Sequence, residues 1–359
     1  MNFYMPQWID TSFTSYPLLA LFLNAVVAIL WHKKTYNKLG LKTYKAIQRI
    51  HLAETPRLGG FVILALIFTY TWVHADEKVA SILKPCLISM IPLSLIALKE
   101  DLFHNVRPLI RLIGLLGSGV LYVMFFSGPY PSFEDTFLAS WFKNPLAPMI
   151  FYPLALTALA NGSNLTDGVN GLCSAIFLSI LVSLLYLAYQ VNDDTIMMPI
   201  LMMMILITTF IVFNYPFGKI FLGDLGAYAI AFLTGMFTII LFGRHPEISP
   251  WLAVLILIYP MTEVSFSMVR RFYRGQSISK ADTMHLHIKI FYFLRKIPQM
   301  KGYANPTVMP LLTILWLFPL IAMPWAFKKP PLTLLFILFF WGIYFFLYRV
   351  APNPREKNT

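Results

Sequence analysis

Asn161-Gly-Ser-Asn-Leu-Thr-Asp-Gly-Val-Asn-Gly-Leu172 is a polar, glycine-punctuated stretch set between two strongly apolar runs. Three asparagines, one aspartate, a serine and a threonine fall between positions 161 and 170. Polar groups at the edge of an apolar segment are costly unless water or a ligand satisfies them. Glycines among them let a ligand approach the backbone closely. The stretch therefore reads as a polar loop that forms a site between two helices, and not as a linker.

Outward from this loop the chain is 58% hydrophobic and 12% charged, against roughly 25% charged in ordinary soluble domains. With a mean hydropathy of +0.68 over 359 residues, a soluble fold has nowhere to hide its apolar surface. The composition predicts an all-α polytopic membrane protein in contact with a lipid bilayer. The net charge of +12 raises nucleic acid as a partner, but the basic residues lie in loops between apolar runs, so no nucleic acid is expected. Cys86 and Cys173 both sit in or beside apolar segments and read as packed thiols. Residues 1–16 carry no Lys or Arg, and the first apolar run ends in Trp31-His-Lys-Lys34, which argues against a cleaved signal peptide.

A helical span needs ~20 mostly apolar residues. That criterion gives about eleven transmembrane helices, near 17–31, 58–74, 80–98, 108–127, 148–162, 171–190, 196–213, 225–243, 250–268, 307–326 and 332–348. One alternate set of loops carries six basic residues: Lys78, Lys84, Lys143, Arg244, Lys328 and Lys329. The other carries the remaining 22 of 28. The positive-inside bias then places the N-terminus in the periplasm and the C-terminus in the cytoplasm. The cytoplasmic loops 32–57, 99–111, 161–172, 214–226 and 269–306 hold the polar constellations, so a single transmembrane domain over 1–359 is expected to carry a composite site on one membrane face.

Thr55-Pro-Arg-Leu-Gly-Gly60 makes a turn with open backbone as the second helix begins, either a site element around Arg57 or an ordinary helix entry. Glu100-Asp101 at the end of the third helix, followed by Arg107 and Arg111, could hold a divalent ion or take a proton, or could be a solvated loop. The two glycosylation sequons at Asn161 and Asn164 fall on the cytoplasmic side and are read as chance. In Asn214-Tyr-Pro-Phe-Gly-Lys-Ile-Phe-Leu-Gly-Asp-Leu-Gly226, Lys219 is the only cation and Asp224 the only carboxylate. Asp224 between Gly223 and Gly226 suits metal coordination, or alternatively an N-cap, and Phe221 could stack on a base. The basic loop 269–306 carries Asp282, His285 and His287. Its charge fits attraction to anionic lipid, and its histidines could contact phosphate or sugar. On a helix, positions 285 and 287 would diverge, which argues against a shared metal.

These residues resemble the polyprenyl-phosphate N-acetylhexosamine-1-phosphate transferases (glycosyltransferase family 4, WecA/MraY-like). Asn161–Leu172 is similar to the family's N-x-x-N-x-x-D-G-x-x-G-L pattern, and Asn214–Gly226 to its N-x-x-P…F-x-G-D-x-G pattern. The resemblance spans five loops in order. It implies transfer of a sugar 1-phosphate from a UDP-sugar to undecaprenyl phosphate, with release of UMP and a requirement for Mg²⁺ or Mn²⁺. On that resemblance Asp224 is the metal ligand. Glu100 and Asp101 are the acidic pair that handles the lipid phosphate, with Asp101 assisting its deprotonation for direct attack or, alternatively, the same residues serving a covalent aspartyl-phosphate route. Asn164 and Asp167 are catalytic positions, Asn214 and Phe221 bind uracil, and Arg57, Asn161, Asn170, Lys219, His285 and His287 contact substrate. It also implies a homodimer, the bacterial inner membrane, and a place at the start of a lipid-linked surface glycan such as lipopolysaccharide O-antigen, or in cell wall biogenesis.

Two positions depart from the common pattern: Glu100, where Asp is usual, and Asn170, where many bacterial members have Asp. The spaced His285-Leu-His287 favours a simple UDP-N-acetylhexosamine donor over the muramoyl-pentapeptide donor of the MraY branch, whose members carry consecutive histidines. The rival of another class is a membrane transporter of a lipid or solute. Transporters bind near the bilayer midplane on broken helices, whereas these carboxylates cluster in loops at one face.

Overall fold

Why the chain folds around one helix is plain from Gly223–Arg244, whose apolar residues face every direction and are buried on every side, as expected of a central span. A computed structural model describes residues 19, 21–23, 25–26, 55–131, 139–142, 144–275 and 284–353. Among them all regular structure is helical. In chain order the helices are α1 (Gly59–Val73), α2 (Glu77–Ser89), α3 (Ile91–Phe103), α4 (Pro108–Phe125), α5 (Ala147–Thr166), α6 (Leu172–Gln190), α7 (Asp194–Asn214) and α8 (Gly223–Arg244). Then come α9 (Pro250–Ile256), α10 (Ile258–Tyr273), α11 (Leu286–Lys296) and α12 (Ala304–Leu311). The chain closes with α13 (Thr313–Trp316), α14 (Phe318–Ala326) and α15 (Pro330–Val350). Helices α1, α3, α5 and α6 surround α8.

Six helices are long and apolar enough to cross a membrane, or eight if each of two bent pairs is one span. The chain is thus a multi-pass membrane protein. The first expected run, 17–31, lies largely outside the described residues. Each of the others has a helical counterpart, but three are broken. The run 80–98 becomes α2 and α3, bent by 57° at Met90. Pro92 at the second position of α3 brings no N–H to continue the ladder. The run 250–268 becomes α9 and α10, bent by 77° just before Pro260. The run 307–326 is interrupted at two points into α12, α13 and α14, which together still count as one of the six spans, Ala304–Ala326.

The loop expected at 161–172 is shorter than its composition implies, because α5 continues to Thr166. Its polar side chains satisfy themselves against helix backbone. Asn161 Nδ2 donates to the Thr157 carbonyl at 2.9 Å, Thr166 Oγ1 to Ser163 at 2.8 Å, and Ser163 Oγ to Ala227 of α8 at 2.8 Å. Only residues 167–171 form the turn, closed by Gly171 with φ +79°. Cys86 and Cys173 are buried free thiols.

Glycines bring α1 onto α8. A Cβ at Gly60 would lie 2.1 Å from the Gly226 Cα. That closeness lets Gly59 and Gly60 donate their N–H groups to the Phe221 and Leu222 carbonyls at 3.0 and 2.9 Å, while Phe221 donates back to Pro56 at 2.8 Å. At the far end of α8, about 33 Å away by helical rise, Arg244 and His245 meet Asp193 at 3.4 and 3.1 Å.

Candidate active site

Asp101 comes from the last turn of α3 and is 6% exposed. Its Oδ1 accepts the Asp224 N–H at 2.8 Å and its Oδ2 the Leu225 N–H at 2.9 Å. It therefore caps α8 from outside, taking two of the N–H groups that a helix start leaves unpaired. Gly223, with φ +77°, is the position where this needs no side chain: a Cβ there would sit 2.6 Å from Asp101 Oδ2.

With that cap supplied by Asp101, Asp224 is free of capping duty and its carboxylate goes to two arginines. Arg57 Nη2 lies 2.7 Å from Oδ1, and Arg111 Nη1 lies 2.8 Å from Oδ2. Arg57 also reaches Asp101 Oδ1 through Nε at 3.3 Å. The Asn164 amide on α5 lies within interaction range of Asp224. Burial works against the Arg57 charge, but Asp224, then Asp101 and Asp167, hold its pKa above the usual value. Arg111 is a full member of this cluster, although the sequence marks it only as a basic residue following the acidic pair.

Asp167 ends α5 and faces the same group. Burial, opposed by Arg57 and helped by the neighbouring Asp224 and Asp101 charges, pushes its carboxyl up to about 8. Among the described residues its side chain makes no hydrogen bond or ion pair. It is the carboxylate here that remains available to a substrate proton.

Glu100 does not join the cluster with its carboxylate. Oε2 accepts the Val106 N–H at 2.8 Å, closing the turn after α3. The extra methylene relative to Asp carries the group to the loop backbone. Asn161 is likewise occupied with its own helix. Asn214 is committed to structure at both amide atoms: Oδ1 accepts the Gly171 N–H at 2.6 Å and Nδ2 donates to Ile220 at 2.9 Å. Asn170 Nδ2 donates to Pro216 at 2.8 Å, and its backbone N–H to Asn305 Oδ1 at 2.9 Å. These two asparagines lace the 167–171 turn to the 214–222 loop. Phe221 is half-buried, with its backbone in the α1 zipper. Lys219 is exposed beside the Phe217 ring, 5.7 Å from its centroid.

The histidines differ from the helical expectation for a physical reason. His285 precedes α11 with extended backbone (φ −70°, ψ 147°), so its ring does not diverge from that of His287. The two stack at 5.7 Å between centroids and 14° between planes. His285 Nδ1 lies 3.1 Å from Glu263 Oε2 of α10. Burial drives the His287 pKa down to about 4, opposed by Glu263 and assisted by His285, so the ring is neutral near pH 7. Glu263 is not singled out by any motif; its one sequence signal is a carboxylate inside an apolar run. Asp282 and the loop 32–54 lie outside the described residues.

The oxygen donors suit magnesium in kind. Mg²⁺ takes one or two carboxylates and completes its shell with water and substrate phosphates. Asp224, with the Asn164 amide beside it, offers such donors, while no group of three His, Cys, Asp or Glu converges among the described residues. For Asp224 to bind an ion, one guanidinium must leave it.

Residues 83–242 match the model of "Glycosyl transferase family 4". A Bacillus subtilis (strain 168) protein named as a probable undecaprenyl-phosphate N-acetylglucosaminyl 1-phosphate transferase is 24% identical over 268 residues, covering 73% of this chain and 72% of that one. A phospho-N-acetylmuramoyl-pentapeptide-transferase of Streptococcus pneumoniae (strain CGSP14) is 25% identical over 258 residues, 66% of this chain and 74% of its own.

Proposed function

From the match of residues 83–242 to glycosyl transferase family 4 and from its relatives, we propose that this chain is a member of that family and transfers a sugar 1-phosphate from a UDP-sugar to undecaprenyl phosphate, releasing UMP. The donor we favour is a UDP-N-acetylhexosamine, and the product would start a lipid-linked cell-surface glycan at the bacterial inner membrane. The observation that carries the reading is the meeting of Asp101, Asp167, Asp224, Arg57 and Arg111 where α3 and α5 end and α8 begins. The site draws its side chains from elements remote in sequence, as a composite active site requires.

Both substrates are anionic, so repulsion between them must be cancelled before attack. Arg57 and Arg111 stand ready to move from Asp224 to phosphate oxygens. A magnesium ion held by Asp224, with Asn164 beside it, would supply further positive charge to the diphosphate. In the step itself, an oxygen of the lipid phosphate forms a bond to the donor's β-phosphorus. The bond from that phosphorus to the UMP oxygen breaks, and its electron pair leaves with UMP. Asp167 takes the proton from the lipid phosphate, because both Asp101 oxygens are committed to backbone N–H groups. Asp101 instead fixes the start of α8 and, through it, the place of Asp224.

The same reading sets the orientation. The site end of α8 faces the cytoplasm with the C-terminus, the Asp193–Arg244 end faces the periplasm with the N-terminus, and about eleven spans connect them. The decisive assay incubates the purified protein with undecaprenyl phosphate, Mg²⁺ and a panel of UDP-sugars and follows UMP. Release with one donor supports the proposal; no UMP from any donor refutes it.

A further inference from the structure

We propose that Glu263 is a positioning residue for the transfer reaction, holding the His285–His287 pair against the turn that carries Asp167. The kinetic part of this inference rests on the transferase reading above. Glu263 is 1% exposed inside α10, on a buried side that it shares with Tyr259, Pro260 and Ser267. A residue there for packing alone has no need of a carboxylate, since apolar side chains of similar size replace buried charges without loss. Its Oε2 meets His285 Nδ1 at 3.1 Å, which fixes that ring and puts its N–H on Nδ1.

The second ring inherits that placement. His287 stacks on His285, is wholly buried, and has no hydrogen-bond partner at either nitrogen among the described residues. His285 Nε2 is also without one. Buried polar atoms left unpaired signal a group that a ligand or water completes. The direction is given by Gly168, next to Asp167: a Cβ there would lie 2.9 Å from His287 Nε2. Glycine leaves the imidazole edge directly beneath the backbone of the catalytic turn. The pair therefore backs the turn that carries Asp167, and Glu263 sets its position without touching substrate.

The test is a double-mutant cycle on the full-length enzyme with Glu263→Ala, His285→Ala and the double variant, together with Glu263→Gln. Removing a group that orients another costs on the order of tenfold or more, so E263A is expected to lower kcat/KM for the donor about tenfold while KM for the lipid acceptor stays put. E263Q keeps an acceptor for Nδ1–H and is expected to retain activity within about threefold. In the H285A background, E263A should add less than about twofold, because its effect runs through that ring. Losses that multiply, or an E263Q as impaired as E263A, overturn the proposal.

A second measurement needs no turnover: diethyl pyrocarbonate labelling of the purified protein, mapped by mass spectrometry. His287 is protected in the wild type and should label at least about fivefold faster in E263A if its placement depends on the carboxylate; an unchanged rate overturns the proposal. If E263A does not fold, Glu263→Asp withdraws the carboxylate by one methylene and is judged by the same readouts. A wild-type enzyme that turns over no donor would refute the transferase reading, and the labelling would still decide the placement of the histidines.

Discussion

Gly60→Ala probes the link between the α1 entry and the reaction centre without touching a charged group. The added Cβ would stand 2.1 Å from the Gly226 Cα and 2.2 Å from its nitrogen, where ordinary contact begins at 3.4 Å. Both obstacles are backbone, so α1 must retreat from α8 by about 1.3 Å, the difference of the first and last of these distances. Such a shift breaks or stretches the bonds from Gly59 and Gly60 to Phe221 and Leu222, at about 0.5–1.5 kcal/mol each. Overpacking adds about 1–3 kcal/mol, for a total of about 2–6 kcal/mol. Arg57 precedes the zipper by two residues and moves with it, away from Asp224. A misplacement of about 1 Å costs on the order of a hundredfold in rate. The assay is UMP release alongside thermal unfolding in detergent. The control is Gly117→Ala on α4, where a Cβ meets nothing within 4 Å and should leave both readouts unchanged. A G60A enzyme with wild-type stability and turnover would refute the account of why α1 and α8 touch.

Asp167→Asn should cut kcat by about 10²–10⁴-fold, the range for a lost general base, and should remove a rising limb in the pH–rate profile centred near 8. Stability should respond with the opposite sign. The Asp167 pKa is raised on folding, so its contribution is fully present below the unfolded value of 3.8 and declines as pH rises through about 8; chemical unfolding of wild type and D167N across that window checks the slope. Asp101→Asn turns an amide NH₂ toward one of two backbone N–H groups and should destabilise the protein by about 1–3 kcal/mol, whereas Glu100→Gln keeps its bond to Val106 and should stay within about threefold in turnover. Arg57→Lys cannot serve Asp224 and Asp101 together, so a loss of about tenfold or more in kcat/KM is expected; full activity would remove the fork from the mechanism. A reporter fused after Lys296 should read cytoplasmic, and a periplasmic signal would reverse the orientation.

The helices were legible because each is a long apolar run, and composition alone marks such runs. Their breaks at Met90 and Leu257 were not, since a proline near a helix start is compatible with a straight entry and only the neighbouring helices decide whether the span bends. The site was legible where residue type already carries chemistry: Asp101, Asp167 and Asp224 are carboxylates where carboxylates are costly, and they converge. What sequence could not assign is which polar group serves the substrate and which serves the fold. Asn161, Asn170 and Asn214 have the composition of a binding loop, yet their side-chain bonds join helix and loop backbones to one another. Arg111 and Glu263 show the converse. Arg111 looks like one more basic residue of a positive-inside loop until its guanidinium is seen on Asp224 at 2.8 Å, and Glu263 sits 22 residues from the ring it holds. Both are defined by a partner brought from another helix, and partners of that kind are a product of packing. At the end of α8 that carries Asp224, a polar residue that turns back onto its own helix serves the fold, and one that reaches a charge on a different helix joins the candidate site. On that criterion the reaction centre is smaller than the polar stretch at 161–172 implies, and it extends further from that stretch, to α4 and α10.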